Sequence, residues 1–217
     1  SKIWIENEKF EKFEKYFSCD NETNILSEFF FLISNLFSSQ EIYDQSNFYL
    51  RISEYLNNEF YFNLSLLAEN YYLNKNYKDS EKILNLFKNK DENYNWYRVK
   101  KIGKILSEKG KENEALKFTE KYFNSTNKSS VKMLYDMANI YKRFEKYEEA
   151  IKYYSLLLTK VKKDSYAYSR ILYRRGSSFE RKGDYEKADK DLLYSLKIFP
   201  GEPYTMNYLA YSWLERN

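Results

Sequence analysis

The residues best equipped for chemistry in this sequence are cations set among tyrosines. Lys100, Lys104, Arg170, Arg174 and Arg181 alternate with Tyr135, Tyr173 and the amide of Asn139. Cationic heads beside phenol and amide groups suit carboxylates, because hydrogen bonds to an ionised acceptor are shorter and stronger than neutral ones. The acidic pairs Glu148 with Glu149 and Asp189 with Asp191 raise metal or acid–base chemistry. They read instead as the outward, solvated face of a helix, with no loop to enclose a magnesium ion. Histidine is absent and Cys19 is the one cysteine. Within this chain that excludes Ser-His-Asp and Cys-His catalysis, Cys/His zinc sites and an intrachain disulfide. No glycine-rich phosphate loop is present. The expectation is a protein without catalytic residues, cofactor or metal.

The elements that must position these groups are helices. The 217 residues include only 5 glycines and 2 prolines, and 20% are aromatic, so breakers are few and core material is ample. A hydrophobic fraction of 43% against 31% charged matches neither a disordered tail nor a membrane protein. The most apolar stretch, Phe29 to Phe37, is interrupted by Ser34 and Asn35 and falls short of the ~18 residues of a membrane span. Residues 1–95 carry 10 basic and 16 acidic side chains, and residues 96–217 carry 26 and 16, a swing from −6 to +10. A basic half can attract acidic peptides or nucleic acid, although solvated helix faces account for most such charge. The opening Ser1-Lys2 suggests a piece of a longer protein, and one cysteine identifies no compartment.

The chain repeats itself. Lys75-Asn76-Tyr77-Lys78-Asp79-Ser80, Lys109 to Ala115, Glu145-Lys146-Tyr147-Glu148-Glu149-Ala150 and Gly183-Asp184-Tyr185-Glu186-Lys187-Ala188 are variants of one motif. Their small residues Ser80, Ala115, Ala150 and Ala188 stand 35, 35 and 38 apart. Each copy joins two helix-like stretches through a short polar turn, a helix–turn–helix unit of about 34 residues. Gly103 and Gly176 fall seven residues before Gly110 and Gly183. The first glycine of each pair lets helices approach, and the second serves a turn that needs positive φ. Pro200 marks the end of a second helix.

On these residues the chain resembles the tetratricopeptide repeat family. Leu172, Gly176, Phe179, Tyr185, Ala188, Leu192 and Pro200 match the family pattern most fully, followed by Leu134, Met137, Ala138, Tyr141, Tyr147, Ala150, Tyr154 and Leu157. The resemblance implies an all-α, right-handed α-solenoid of stacked antiparallel helix pairs. It divides the chain into an N-terminal segment 1–26, with a helix through Phe10, Phe13 and Phe17, and an array over 27–217. The units are 27–60 (degenerate), 61–94, 96–129, 131–164 and 169–202, followed by the first helix of a further unit at 203–217. The ending Pro203 to Trp213, with Tyr173-Arg174-Arg175-Gly176, is similar to long repeat proteins of alphaproteobacteria, a likeness that implies the bacterial envelope.

The same resemblance implies a non-enzymatic scaffold that binds a protein or peptide in its concave groove. The groove face is read as Lys100, Lys104, Tyr135, Asn139, Arg170, Tyr173, Arg174 and Arg181, taking an acidic segment or a C-terminal carboxylate. Lys100, Arg170 and Arg174 occupy positions at which some family members clamp such carboxylates, while Lys104 and Asp136 stand where asparagines are expected. The alternative is a nucleic-acid-binding repeat protein using the basic C-terminal half, but no regular pair of base-reading side chains recurs from unit to unit. Arg175 replaces a leucine-like residue and needs a carboxylate partner, Asp191 or Glu180. Trp213 and Leu209 are expected to expose apolar surface through which the chain self-associates.

Overall fold

The computed structural model describes residues 20–126 and 130–216. The helix expected through Phe10, Phe13 and Phe17 lies outside them. The described residues hold eleven α-helices: α1 Glu22–Ser39, α2 Tyr43–Leu56, α3 Phe62–Leu73, α4 Tyr77–Asn85, α5 Glu92–Glu108, α6 Glu112–Ser125, α7 Val131–Arg143, α8 Tyr147–Leu158, α9 Tyr166–Arg181, α10 Tyr185–Ile198 and α11 Pro203–Arg216. They fall into two compact units whose division lies within α6, between Glu120 and Lys121.

The start of a helix is usually written in its cap. Asn21, Asn76, Asp91, Ser130, Ser165 and Asp184 each accept a hydrogen bond from a backbone N–H of the first turn, satisfying a donor that has no partner inside the helix. Five of the helices, α1, α3, α5, α7 and α9, then end in turns of one design. Glu41, Lys75, Gly110, Glu145 and Gly183 all have positive φ, between 57° and 86°. In each turn the next residue's N–H reaches back to a carbonyl five residues earlier: Ile42 to Phe37, Asn76 to Tyr71, Lys111 to Leu106, Lys146 to Tyr141 and Asp184 to Phe179, at 2.8–3.0 Å. This left-handed cap with its long backward bond is the Schellman closure of a helix.

Around each such residue the packing repeats. A small residue lies seven positions before it and another five after: Ser34 and Ser46, Ala68 and Ser80, Gly103 and Ala115, Ala138 and Ala150, Gly176 and Ala188. All ten are buried. Where the second is serine, its hydroxyl donates to the first residue's carbonyl, from Ser46 to Ser34 and from Ser80 to Ala68, each at 2.8 Å. Gly176 shows why size matters, since a Cβ there would lie 3.0 Å from Leu192 Cγ and 3.2 Å from the Ala188 carbonyl oxygen. On this recurrence we propose the unit boundaries 27–60, 61–94, 96–129, 131–164 and 169–202, with α11 opening a further unit.

In the N-terminal unit α1 packs on α2, α2 on α3, α3 on α4 and α4 on α5, and α1 also touches α3. The core is Leu50, Leu64, Leu67, Ala68, Ile83, Leu84, Phe87 and Ile105, with Tyr61, Tyr94 and Tyr97 against Phe87. In the C-terminal unit α7 packs on α8, α8 on α9, α9 on α10 and α10 on α11, and α9 also touches α11. Met133, Met137, Tyr154, Leu157, Ile171, Leu172 and Leu192 are its fully buried centre. Each unit is therefore all-α and built of stacked helix pairs, the arrangement in which one pair buries the apolar face of the next.

Position 26 residues apart within a unit also recurs. Ser27 and Ser53 exchange hydroxyl-to-carbonyl bonds of 2.8 and 2.5 Å, and Ser169 and Ser195 repeat the clasp at 3.0 and 2.9 Å. In the repeat that follows Ser27 and Ser53, Tyr61 and Phe87 hold the same two places with an edge-to-face ring contact.

Two expectations change. Leu209 is buried, because Thr205, Leu209 and Ser212 form the inward stripe of α11, and only Trp213 of the expected pair is exposed, together with Met206, Tyr211 and Leu214. Asp191 is also buried rather than solvated. Its carboxylate takes the Arg175 guanidinium in two bonds of 2.6 and 2.8 Å, and Asp189 likewise pairs with Arg216. These carboxylates answer neighbouring cations on adjacent helices.

Candidate functional site

Six of the cations and polar groups read from the sequence sit on two neighbouring helices of the C-terminal unit, Arg170 among them on α9. Tyr135 and Asn139 stand one turn apart on α7, and Tyr173, Arg174 and Arg181 on α9. Asn139 is held on both sides: its Nδ2 donates to the Tyr135 carbonyl at 2.8 Å, and its Oδ1 accepts from the Tyr154 hydroxyl at 2.8 Å. Burial pushes the Tyr154 phenol above its ordinary range, so at neutral pH it is a fixed donor. Tyr173 packs edge-on to Tyr208 of α11, with ring centres 5.8 Å apart, and the guanidiniums of Arg170 and Arg174 each lie 5.9 Å from the Tyr173 ring centre.

The cations are not equivalent. Arg170 already has a carboxylate, Glu202, at 3.4 Å, and Glu202 is buried. Arg181 is mostly exposed and lies 3.8 Å from Glu180, whose Oε2 also accepts from the Tyr208 hydroxyl at 2.7 Å. Arg174 carries a buried Nε with no hydrogen-bond acceptor. A buried donor left unmatched costs on the order of 1–3 kcal/mol, more when the group is charged, so an acceptor arriving there is favoured.

Lys142 of α7 completes this surface, on the same helical register as Tyr135 and Asn139. Its ammonium donates to the Ser177 hydroxyl on α9. Burial lowers its pKa to about 8, and the positive charges of Arg174 and Arg181 push the same way against Glu180. The signal in the sequence was Lys142 standing thirty-five residues before Ser177, one repeat length, which places the two at corresponding points of adjacent first helices.

Lys100 and Lys104 belong to the N-terminal unit, on α5. Lys104 Nζ lies 4.5 Å above the Tyr72 ring, and the Tyr72 hydroxyl donates to Glu108 Oε1 at 2.9 Å. Among the described residues no group of three or more metal-ligating side chains gathers, and no helix is long and apolar enough to cross a membrane.

The profile of the tetratricopeptide repeat matches residues 131–159 and 169–201, which are α7 with α8 and α9 with α10. This chain carries tetratricopeptide repeats. No curated protein sequence matches it. Among solved structures it is similar to YrrB, described as a tetratricopeptide repeat protein with an unusual peptide-binding site, at 14% identity and a TM-score of 0.53, covering 83% of this chain and 90% of that one. It is also similar to BtubC from P. vanneervenii, at 12% identity and a TM-score of 0.60 over 81% and 80% of the two chains. The protein MamA gives 15% identity and a TM-score of 0.52 over 80% and 91%. At such identities the likeness is one of fold. The two matched repeats are the ones whose first helices, α7 and α9, present Tyr135, Asn139, Lys142, Arg174 and Arg181.

Proposed function

We propose that this chain is a non-enzymatic scaffold that holds a protein or peptide partner on the α7 and α9 face of its C-terminal repeats, through an acidic segment or a C-terminal carboxylate. The observation that carries the reading is the Arg174 Nε, buried without an acceptor beside tyrosines that are themselves fixed by hydrogen bonds and ring contacts. A carboxylate gains charge-assisted bonds there, and rigid phenols add contact area with little side-chain entropy to lose. The peptide-binding site in the description of YrrB is consistent with this use of the fold. Lys100 and Lys104, in the other unit, are not needed for it.

The test is a titration of the full chain with a labelled octapeptide of four glutamates ending in a free carboxylate. Binding that weakens at least ~10-fold in Arg174→Glu supports the reading, since losing one partner of a desolvated charge pair costs ~2–5 kcal/mol. Equal binding by wild type and Arg174→Glu overturns it. Single-stranded RNA serves as the competitor. Displacement of the peptide by RNA, with an affinity falling steeply in salt, would favour nucleic acid instead.

We further propose that α11 supports self-association, because Tyr204, Met206, Tyr211, Trp213 and Leu214 are exposed along it. Sedimentation should show a concentration-dependent dimer that Leu214→Asp removes. A monomer at every concentration would end this part of the proposal.

A further inference from the structure

The ionic balance around Lys142 goes further than a general preference for acid. Lys142 on α7 interacts electrostatically with two cations of α9, Arg174 and Arg181, and with one carboxylate, Glu180, which also acts on Arg181. That carboxylate is already shared between the Tyr208 hydroxyl and Arg181. Lys142 has only a serine hydroxyl as its hydrogen-bond acceptor, and Arg174 keeps its buried Nε unmatched. Ser177 in turn donates to the Arg174 carbonyl at 3.0 Å, which fixes the hydroxyl that receives the ammonium. The cluster thus carries a net charge of +2 in a partly desolvated place.

A single carboxylate brings −1 and leaves one cation uncompensated. A phosphomonoester brings close to −2 at neutral pH and several strong acceptor oxygens. We propose that Lys142, Arg174 and Arg181 form a subsite for a phosphoryl group carried by the partner peptide, as on a phosphorylated serine or threonine. This rests on the reading of the α7 and α9 face as the partner-binding surface and names what part of the partner it selects. A phosphodiester of nucleic acid carries only −1 per group and matches the balance less well.

The depressed pKa of Lys142 gives the subsite a pH signature. The groups acting on the cluster are Arg174, Glu180 and Arg181 from α9, Tyr147 and Tyr154 from α8 and Tyr208 from α11. Of these and Lys142, the lysine is the group that loses its charge near pH 8. Phosphoryl binding requires the ammonium, so affinity falls as pH rises through 8, and binding near that pH takes up a proton. Below pH ~6 affinity falls again as the phosphate dianion takes up a proton and becomes a monoanion.

The test uses the full chain with two probes, the capped tripeptide Ala-phosphoserine-Ala and its Ala-Glu-Ala counterpart, by calorimetry in two buffers of different ionisation enthalpy. At pH 7.5 the phosphopeptide should bind at least ~10-fold tighter than the glutamate peptide, with proton uptake, and the preference should vanish in Lys142→Gln. Lys142→Arg, which stays charged, should keep the preference and lose the decline near pH 8. Equal affinity for both probes, or a preference unchanged in Lys142→Gln, overturns the phosphoryl subsite. If the glutamate peptide binds equally well and depends on Arg174, the broader reading survives without it; if neither probe nor the acidic octapeptide binds, both fall. A uridine tetranucleotide bound more tightly than the phosphopeptide would replace the protein ligand with nucleic acid.

Discussion

Arg175 and Asp191 meet through two parallel hydrogen bonds, Nε to Oδ2 at 2.6 Å and an Nη to Oδ1 at 2.8 Å, with the other Nη donating to Ser155 Oγ at 3.1 Å. A guanidinium in a place shaped for an aliphatic side chain is tolerated because the pair is satisfied from both sides. Breaking it should cost far more than it contributes relative to an apolar pair. Arg175→Ala or Asp191→Asn is expected to lose ~3–5 kcal/mol in chemical denaturation, and Arg175→Leu with Asp191→Leu together to restore most of that. Single variants within ~0.5 kcal/mol of wild type would show that solvent screens the pair.

The five left-handed turn residues provide a second set of expectations. Lys75 and Glu145 hold the conformation that Gly110 and Gly183 hold freely, with φ of 57° and 58°. Lys75→Gly and Glu145→Gly should each stabilise the fold by ~0.5–1 kcal/mol, because relief of a strain of ~1–2 kcal/mol outweighs the greater entropy of glycine in the unfolded chain. Gly110→Ala and Gly183→Ala should lose ~1 kcal/mol. Gly176→Ala acts differently, by overpacking against Leu192, Asp191 and Ala188, and should lose ~1–3 kcal/mol. Thermal melts of the five variants check the order.

That arithmetic of five, seven and twelve residues was readable from sequence because it rests on backbone conformation and size, which glycine, alanine and serine announce. Ser34, Glu41 and Ser46 keep it without any glycine. The Arg175 partner was also readable, since a charge in an aliphatic place demands one. What sequence could not supply was which cations are already answered. Arg170 is paired by Glu202, which lies beyond the α10 helix in the turn after Gly201. Leu209 was misjudged by residue type, whereas helical phase with Thr205 and Ser212 turns it inward. Lys142 acquires its character from burial and from the Arg174 and Arg181 charges on another helix, which no local pattern reveals.

Lys142 also makes stability depend on pH. Its folded pKa, about 8, lies below the ordinary lysine value, so between the two the unfolded chain binds more protons and stability rises with pH. The buried phenols act with the opposite sign. Tyr97 and Tyr154 are held above their ordinary range chiefly by burial, so the folded state binds more protons there and stability falls as pH passes 10. Wild type should therefore gain stability from pH 8 toward pH 10 relative to Lys142→Met. A difference between the two proteins that stays constant over that window would show that Lys142 titrates normally.

The exposed ion pair of Glu148 with Lys182, at 2.7 Å, should matter little. Both side chains are well solvated, and surface pairs of this kind contribute little. Glu148→Gln is expected to leave the denaturation midpoint in 1 M salt unchanged, and a fall in that midpoint that persists at every salt concentration would mark the pair as structural.

The most direct test of a partner-binding α7 and α9 face is to locate an acidic peptide on the protein. Backbone amide shifts of the isotope-labelled full chain, followed while the four-glutamate octapeptide is added, would do so. The account predicts shifts concentrated at Tyr135, Asn139, Lys142, Tyr173, Arg174 and Ser177, with little change along Glu148 to Ser155 or Lys187 to Tyr194. Shifts centred on those latter segments of α8 and α10, or none at saturating peptide, would contradict it.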